Sequence, residues 1–149
     1  MTHVMPVNIL LVEDDPGDQK LIKSSFFKQR ILNDLSVVET GEEALEYLKS
    51  ISPETENENY PDLILLDLNM PGMGGKGFLK AMKNDDRFKH IPVVILTTSD
   101  SDRDILESYQ LHAAGYIKKP VQFEDFQAVV KGVEQYWFMI CKTPGNQGS

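Results

Sequence analysis

Short apolar runs alternate with amphipathic stretches along nearly the whole chain, and that alternation leaves few folds open. VNILLV (7–12), LSVVE (35–39), DLILLD (62–67), IPVVILT (91–97) and GYIK (115–118) read as strands. Between them PGDQKLIKSSFFKQR (16–30), GEEALEYLKS (41–50), GFLKAMKND (77–85) and DRDILESYQLHAA (102–114) read as helices, and FEDFQAVVKGVEQYWFMI (123–140) reads as a fifth. Pro16 suits a first helical turn, where no amide hydrogen is needed. The first, third and fourth strands are apolar throughout, as expected of strands covered on both faces. Five βα units of this kind predict an α/β, doubly wound, five-stranded parallel sheet with right-handed crossovers.

A chain of 149 residues holds one domain with a real core and is too short for two ordinary ones. The boundaries expected are an N-terminal extension at 1–6, the domain at 7–140, and a loose tail, CKTPGNQGS, at 141–149. Fifteen basic residues stand against 23 acidic ones, a formal net charge of −8, and no basic run appears. Nucleic-acid binding depends on neutralising phosphates, so DNA and RNA are excluded as main partners. An acidic surface also repels anionic lipid, and no apolar run approaches the roughly 18 residues of a membrane span. MTHVMPVN lacks the charged start and apolar stretch of a signal peptide. The single cysteine, Cys141, permits no internal disulfide. A cytoplasmic protein is expected.

Ligands of open parallel sheets bind beyond the carboxyl ends of the strands. Glu13, Asp14 and Asp15 follow the first strand, and Asp67 closes the third. Thr97 and Thr98 end the fourth, and Lys118, Lys119 and Pro120 end the fifth. Each alone has an ordinary structural reading, as a helix cap or a turn residue. Together they make a chemical set. Carboxylates crowded together repel unless a cation sits among them. Oxygen ligands without His or Cys suit a hard cation such as Mg2+. An aspartate can attack phosphorus and form an aspartyl phosphate, while a lysine and a hydroxyl donate to the phosphoryl oxygens.

The glycines after Asp67, in LLDLNMPGMGGKG (65–77), do not form a phosphate cradle. A P-loop needs G-x-x-x-x-G-K followed by Ser or Thr, whereas Lys76 is followed by Gly77. Gly72, Gly74 and Gly75 read instead as a turn leading into the third helix.

ILLVEDDP (9–16), DLILLDLNMPGMGG (62–75), VVILTTS (93–99) and YIKKPV (116–121) resemble the motifs of a response-regulator receiver domain of two-component signalling. The resemblance spans roughly residues 7–140. It implies a flavodoxin-like sheet in the order 2-1-3-4-5 with five helices. It implies that Asp67 is the phosphoacceptor and that Asp14 is the more direct Mg2+ ligand. Glu13 would act on the metal through water, and Asn69 would offer its backbone carbonyl. Thr97 matches the switch hydroxyl, with Thr98 in the small-residue position after it. Tyr116 matches the switch aromatic and Lys119 the phosphate-pairing lysine, before a cis bond to Pro120. Asp15 receives no metal role. The long polar stretch before strand 3, ILTTS, SYQLHAAGYIKKPVQF and GVEQYW resemble a narrower group, the single-domain regulators of phytochrome-type histidine kinases.

The function implied is that of a phosphorelay response regulator. A histidine kinase donates the phosphoryl group, and a protein-interaction surface of helix 4, strand 5 and helix 5 changes shape. Such a protein phosphorylates and dephosphorylates itself and is not a turnover enzyme on a separate substrate. Its downstream partner is a target protein or a phosphotransfer protein. None of His3, His90 and His112 is placed to act as a relay residue, and His90 and His112 read as surface residues. Phe123, Phe126, Val130, Val133, Trp137 and Ile140 form the core stripe of the fifth helix. Val129, Tyr136, Phe138 and Met139 lie off it, either as a partly buried end or as a homodimer interface. In the fourth helix Ile105, Leu106, Tyr109 and Ala113 form the stripe and Leu111 is extra.

Two rival classes stay open. A phosphotransferase of the haloacid-dehalogenase type also uses a nucleophilic Asp and Mg2+, but needs a second Asp where Asn69 stands and a nucleophile on its first strand. A flavodoxin-like electron carrier needs a hydroxyl- and glycine-rich loop after strand 1, where Glu13, Asp14 and Asp15 would repel the flavin phosphate.

Overall fold

The computed structural model describes residues 7–29, 32–51, 61–70, 72–99, 101–108, 110–122, 124, 125 and 128. Strands β1 (Val7–Val12), β2 (Leu32–Val38), β3 (Leu63–Asp67), β4 (Val93–Thr97) and β5 (Gly115–Lys118) form one sheet. Their order is β2-β1-β3-β4-β5, and every pairing is parallel. Helices α1 (Pro16–Gln29), α2 (Gly41–Ser50), α3 (Gly74–Lys83) and α4 (Ser101–Ser108) connect them. The expected fifth helix and its stripe, the extension at 1–6 and the tail with Cys141 lie outside the described residues, apart from isolated positions in 123–128.

Successive strand residues point to opposite faces, and here both faces are covered. Leu10, Val12, Ile64, Leu66, Val93 and Ile95 pack with Leu48 of α2, Phe78 and Met82 of α3, and Leu106 of α4. Ile9, Leu11, Leu63, Leu65, Val94, Leu96 and Ile117 pack on the other side with Ile22 of α1. All five residues of β3 and all five of β4 are buried, which is why these runs carry no polar alternation.

The α2 start is fastened by the N-cap Thr40 and by Glu43, which reaches back to the residue before the cap. Glu43 N donates to Thr40 Oγ1 at 3.0 Å, and Glu39 N donates to Glu43 Oε1 at 3.0 Å. Thr40→Ala removes the cap. Urea unfolding should show a loss of about 1 kcal/mol, and an unchanged midpoint would remove the cap from the account of this helix.

Two elements depart from the sequence expectation. Helix α3 begins at Gly74, not Gly77, so Gly74 and Gly75 belong to the helix rather than to a preceding turn. Helix α4 ends at Ser108, not at residue 114. Gln110 takes a positive φ of 58°, and Leu111 N donates back to Leu106 O at 2.9 Å. That reversal drops Leu111 into the core, where it is buried, while Ile105 is 45% exposed. The roles expected of Leu111 and Ile105 are therefore exchanged, and His112 lies beyond the helix rather than late in it. A left-handed glutamine has no sequence signature, and the ILESYQLHAA run hides the break. Strand β2 also starts earlier than expected, at Leu32 rather than residue 35.

Candidate functional site

Strand parity decides how the site is divided. Glu13 continues the series Ile9–Leu11, Asp67 the series Leu63–Leu65, and Lys119 follows Ile117, all on the α1 side. Thr97 continues Val93–Ile95 on the side of α2, α3 and α4. The acids and the lysine thus converge, and Thr97 leaves the sheet on the opposite face.

Lys119 joins the acids. Its Nζ lies 2.7 Å from Glu13 Oε1, 3.0 Å from Asp18 Oδ2 and 3.5 Å from Asp67 Oδ2. Glu13 is fully buried, Asp67 and Thr97 nearly so. Burial works against the lysine's charge, but hydrogen bonds to Glu13 and Asp18 and the charge of Asp67 outweigh it and hold its pKa above the ordinary lysine range. Burial pushes the Glu13 carboxyl up from 4.5 to about 7. Lys119 opposes that shift and Asp67 reinforces it.

The group fits a cation. One oxygen each from Glu13, Asp14 and Asp67 lies within 4.8 Å of the others. Glu13 Oε1 has the Lys119 ammonium as its close partner, while Oε2 accepts from Asp15 N at 3.1 Å. Three acidic oxygens, with no histidine nitrogen or cysteine sulfur among them, suit a hard divalent ion. The cleft above them encloses about 370 Å³ and is also lined by Asn69, Thr98, Ser99 and Asp102. Asn69 N donates to Asp67 Oδ1 at 3.1 Å, which orients the carboxylate. Asp15 faces the cleft but works as a cap for α1, accepting from Asp18 N at 2.8 Å.

The glycine loop has a steric task. A Cβ on Gly75 would stand 2.5 Å from Asp67 O and 2.7 Å from Leu68 Cα. Only a glycine lets α3 start so close to the end of β3.

The Glu13 shift carries a stability signature. Its folded pKa exceeds its unfolded one, so its contribution is fully present below about 4.5 and is lost as pH rises through about 7. In chelator, unfolding free energy should fall between pH 5 and pH 8 by on the order of 2–3 kcal/mol, and Glu13→Gln should flatten the slope. An equal slope in that variant would reject Glu13 as its source.

Most residues singled out in the sequence are brought together: Glu13, Asp14, Asp67, Asn69 and Lys119 meet in one cleft. Thr97 is adjacent, but its hydroxyl donates to Asp102 Oδ2 and accepts from Ser99 N at 3.1 Å. Tyr116 is half-buried against the core on the Thr97 side of the sheet. The Lys119–Pro120 bond is cis. His90 and His112 are exposed. Asp18 and Asp102 were not foreseen. Asp18 stands in the first turn of α1 and Asp102 in the first turn of α4, positions where an acid passes for an ordinary helix-end charge.

Residues 9–131 match the model of the response regulator receiver domain. Response regulator Rcp1 of Synechocystis sp. is 37% identical over 93% of this chain and 94% of that protein. The chain is similar to the crystal structure of the phosphorylated cyanobacterial phytochrome response regulator RcpA, with a TM-score of 0.70, 37% identity, and coverage of 93% of this chain and 99% of that one. It is similar also to the Mn2+-bound form of Rcp1, with a TM-score of 0.69, 38% identity, and coverage of 89% and 94%. These likenesses favour neither the phosphotransferase nor the electron carrier.

Proposed function

The chain belongs to the response regulator receiver domain family, and we propose that it works as a phosphorelay response regulator whose acceptor is Asp67. The observation that carries this is the convergence of Lys119, Glu13 and Asp67 from three different strand ends. A buried carboxylate beside an ammonium, held by Asn69 N, is a positioned nucleophile. Its free oxygen attacks phosphorus of the donor phosphohistidine. The P–O bond forms, the P–N bond breaks, and the donor imidazole leaves. Lys119 then pairs with the oxygens of a group carrying about −1.5 to −2 charge. Thr97 supplies the hydroxyl donor on the other side.

Glu13, Asp14 and Asp67, with the carbonyl of Asn69, would hold Mg2+, which when bound offsets the charge of the transferred group. Thr97 and Tyr116 form the switch. Phosphorylation draws Thr97 inwards, Tyr116 turns into the space vacated, and the surface beside α4 and β5 changes. A population shift of this size needs a differential of a few kcal/mol.

The partner is a histidine kinase. Phytochrome-type kinases are favoured because RcpA is by its own description a phytochrome response regulator. Downstream lies a target or phosphotransfer protein, and a second copy of this chain through 123–140 is the further partner to test by sedimentation. The domain occupies 7–140 and works in the cytoplasm. Among the described residues no helix is long and apolar enough to cross a membrane. The protein turns over its own phosphoryl group and no separate substrate.

Incubation with a small acyl-phosphate donor and Mg2+ tests the reading. A base-labile phosphoryl adduct is expected, and its absence at saturating donor rejects it.

A further inference from the structure

We propose that Asp102 is a positioning residue of this site: it holds the Thr97 hydroxyl proton away from the acceptor, so that phosphorylation of Asp67 must break the Thr97–Asp102 hydrogen bond. The inference rests on the reading of Asp67 as acceptor and Thr97 as switch.

Thr97 Oγ1 has one proton to give. It has two acceptors within reach, Asp102 Oδ2 and Ser99 O at 3.1 Å. A carboxylate is the stronger acceptor of the two, because hydrogen bonds to charged groups are roughly twice as strong as neutral ones. One lone pair is already used by Ser99 N. Thr97 is 4% exposed, so water does not compete for the bond. Thr98, Ser99 and Asp102 line the cleft, while Thr97 does not. Strand parity agrees, since Thr97 points to the face opposite Asp67.

Asp102 belongs to the first turn of α4, where its own N–H donates to Ser99 O at 3.3 Å. The bond therefore ties the end of β4 to the start of α4. When Thr97 turns to a phosphoryl oxygen, the same hydroxyl leaves Asp102, and the first turn of α4 loses its side-chain tie to β4, keeping its bonds to Ser99. Asp102 opposes phosphorylation through Thr97 and links the acceptor's state to the helix beside the switch surface.

A rival account is that Asp102 acts only as one more negative charge lining the cleft. The two differ in a double-mutant cycle. Phosphorylation by a small acyl-phosphate donor with Mg2+ is followed in wild type, Asp102→Ala, Asp102→Asn, Thr97→Ala and the two double variants. Both the maximal rate and the half-saturating donor concentration are recorded. With Thr97 present, Asp102→Ala should raise the maximal rate three- to tenfold. Asp102→Asn keeps a neutral acceptor and should raise it less. With Thr97→Ala, neither change at 102 should alter the maximal rate. Equal effects of Ala and Asn, persisting without Thr97, mean a charge effect alone and overturn the proposal. So does an unchanged rate in Asp102→Ala. If wild type forms no base-labile adduct, the assignment of Asp67 fails first, and this inference with it.

Discussion

Protein carrying Asp67→Asn should take up no base-labile phosphoryl group from a small acyl-phosphate donor and Mg2+, whereas wild type should label. The change is nearly isosteric, yet the amide oxygen is a poor nucleophile and carries no charge for Lys119, 3.5 Å away. The loss should exceed a hundredfold, because the covalent step itself is removed. Unfolding does not account for it. Asp67 raises the Glu13 pKa through a hydrogen bond and through its charge, and removing that charge relieves a like-charge contact. In chelator at pH 7 the variant should thus unfold at the same urea concentration as wild type or a higher one. Persistent labelling of Asp67→Asn would falsify the assigned acceptor. Labelling lost together with a collapsed urea midpoint would show instead that the carboxylate is structural.

Gly75→Ala should be the most damaging single methyl group in the site. The added Cβ meets backbone atoms, Asp67 O at 2.5 Å and Leu68 Cα at 2.7 Å. A flexible side chain could swing aside; a strand end cannot without breaking Leu68 N→Leu96 O, at 3.1 Å, or the pairing of Asp67 with Leu96. Overpacking of this kind costs about 3 kcal/mol, read from the urea midpoint. Labelling should fall at least tenfold even where the protein stays folded, since a displacement of about 1 Å at a reacting group can cost a hundredfold. Wild-type stability and labelling together would mean that α3 can shift freely, and the account of its start would be wrong.

The fold was legible chiefly because the central runs of β3 and β4 are buried on both faces, and burial of that kind leaves no polar residue to confuse the reading. Asp67 was legible for the same reason, as the charge that closes such a run, whereas Lys119 follows Lys118 and was singled out by its resemblance to the family motif. Asp18 and Asp102 were not, because helix starts collect acids whether or not they hold a partner. Their roles come from side-chain contacts outside their own helices, with Lys119 in one case and with Thr97 in the other. The side on which Thr97 acts could have been read from the parity of Val93, Ile95 and Thr97. The end of α4 could not, since Gln110 in a left-handed conformation is set by packing of Leu111 and not by local preference.

Asp18 and Lys119 stand 101 positions apart and still share an ion pair. Until β5 joins the sheet, Glu13 and Asp67 stand crowded without that ammonium, so the charge balance of the cleft is completed only by residues from both ends of the fold.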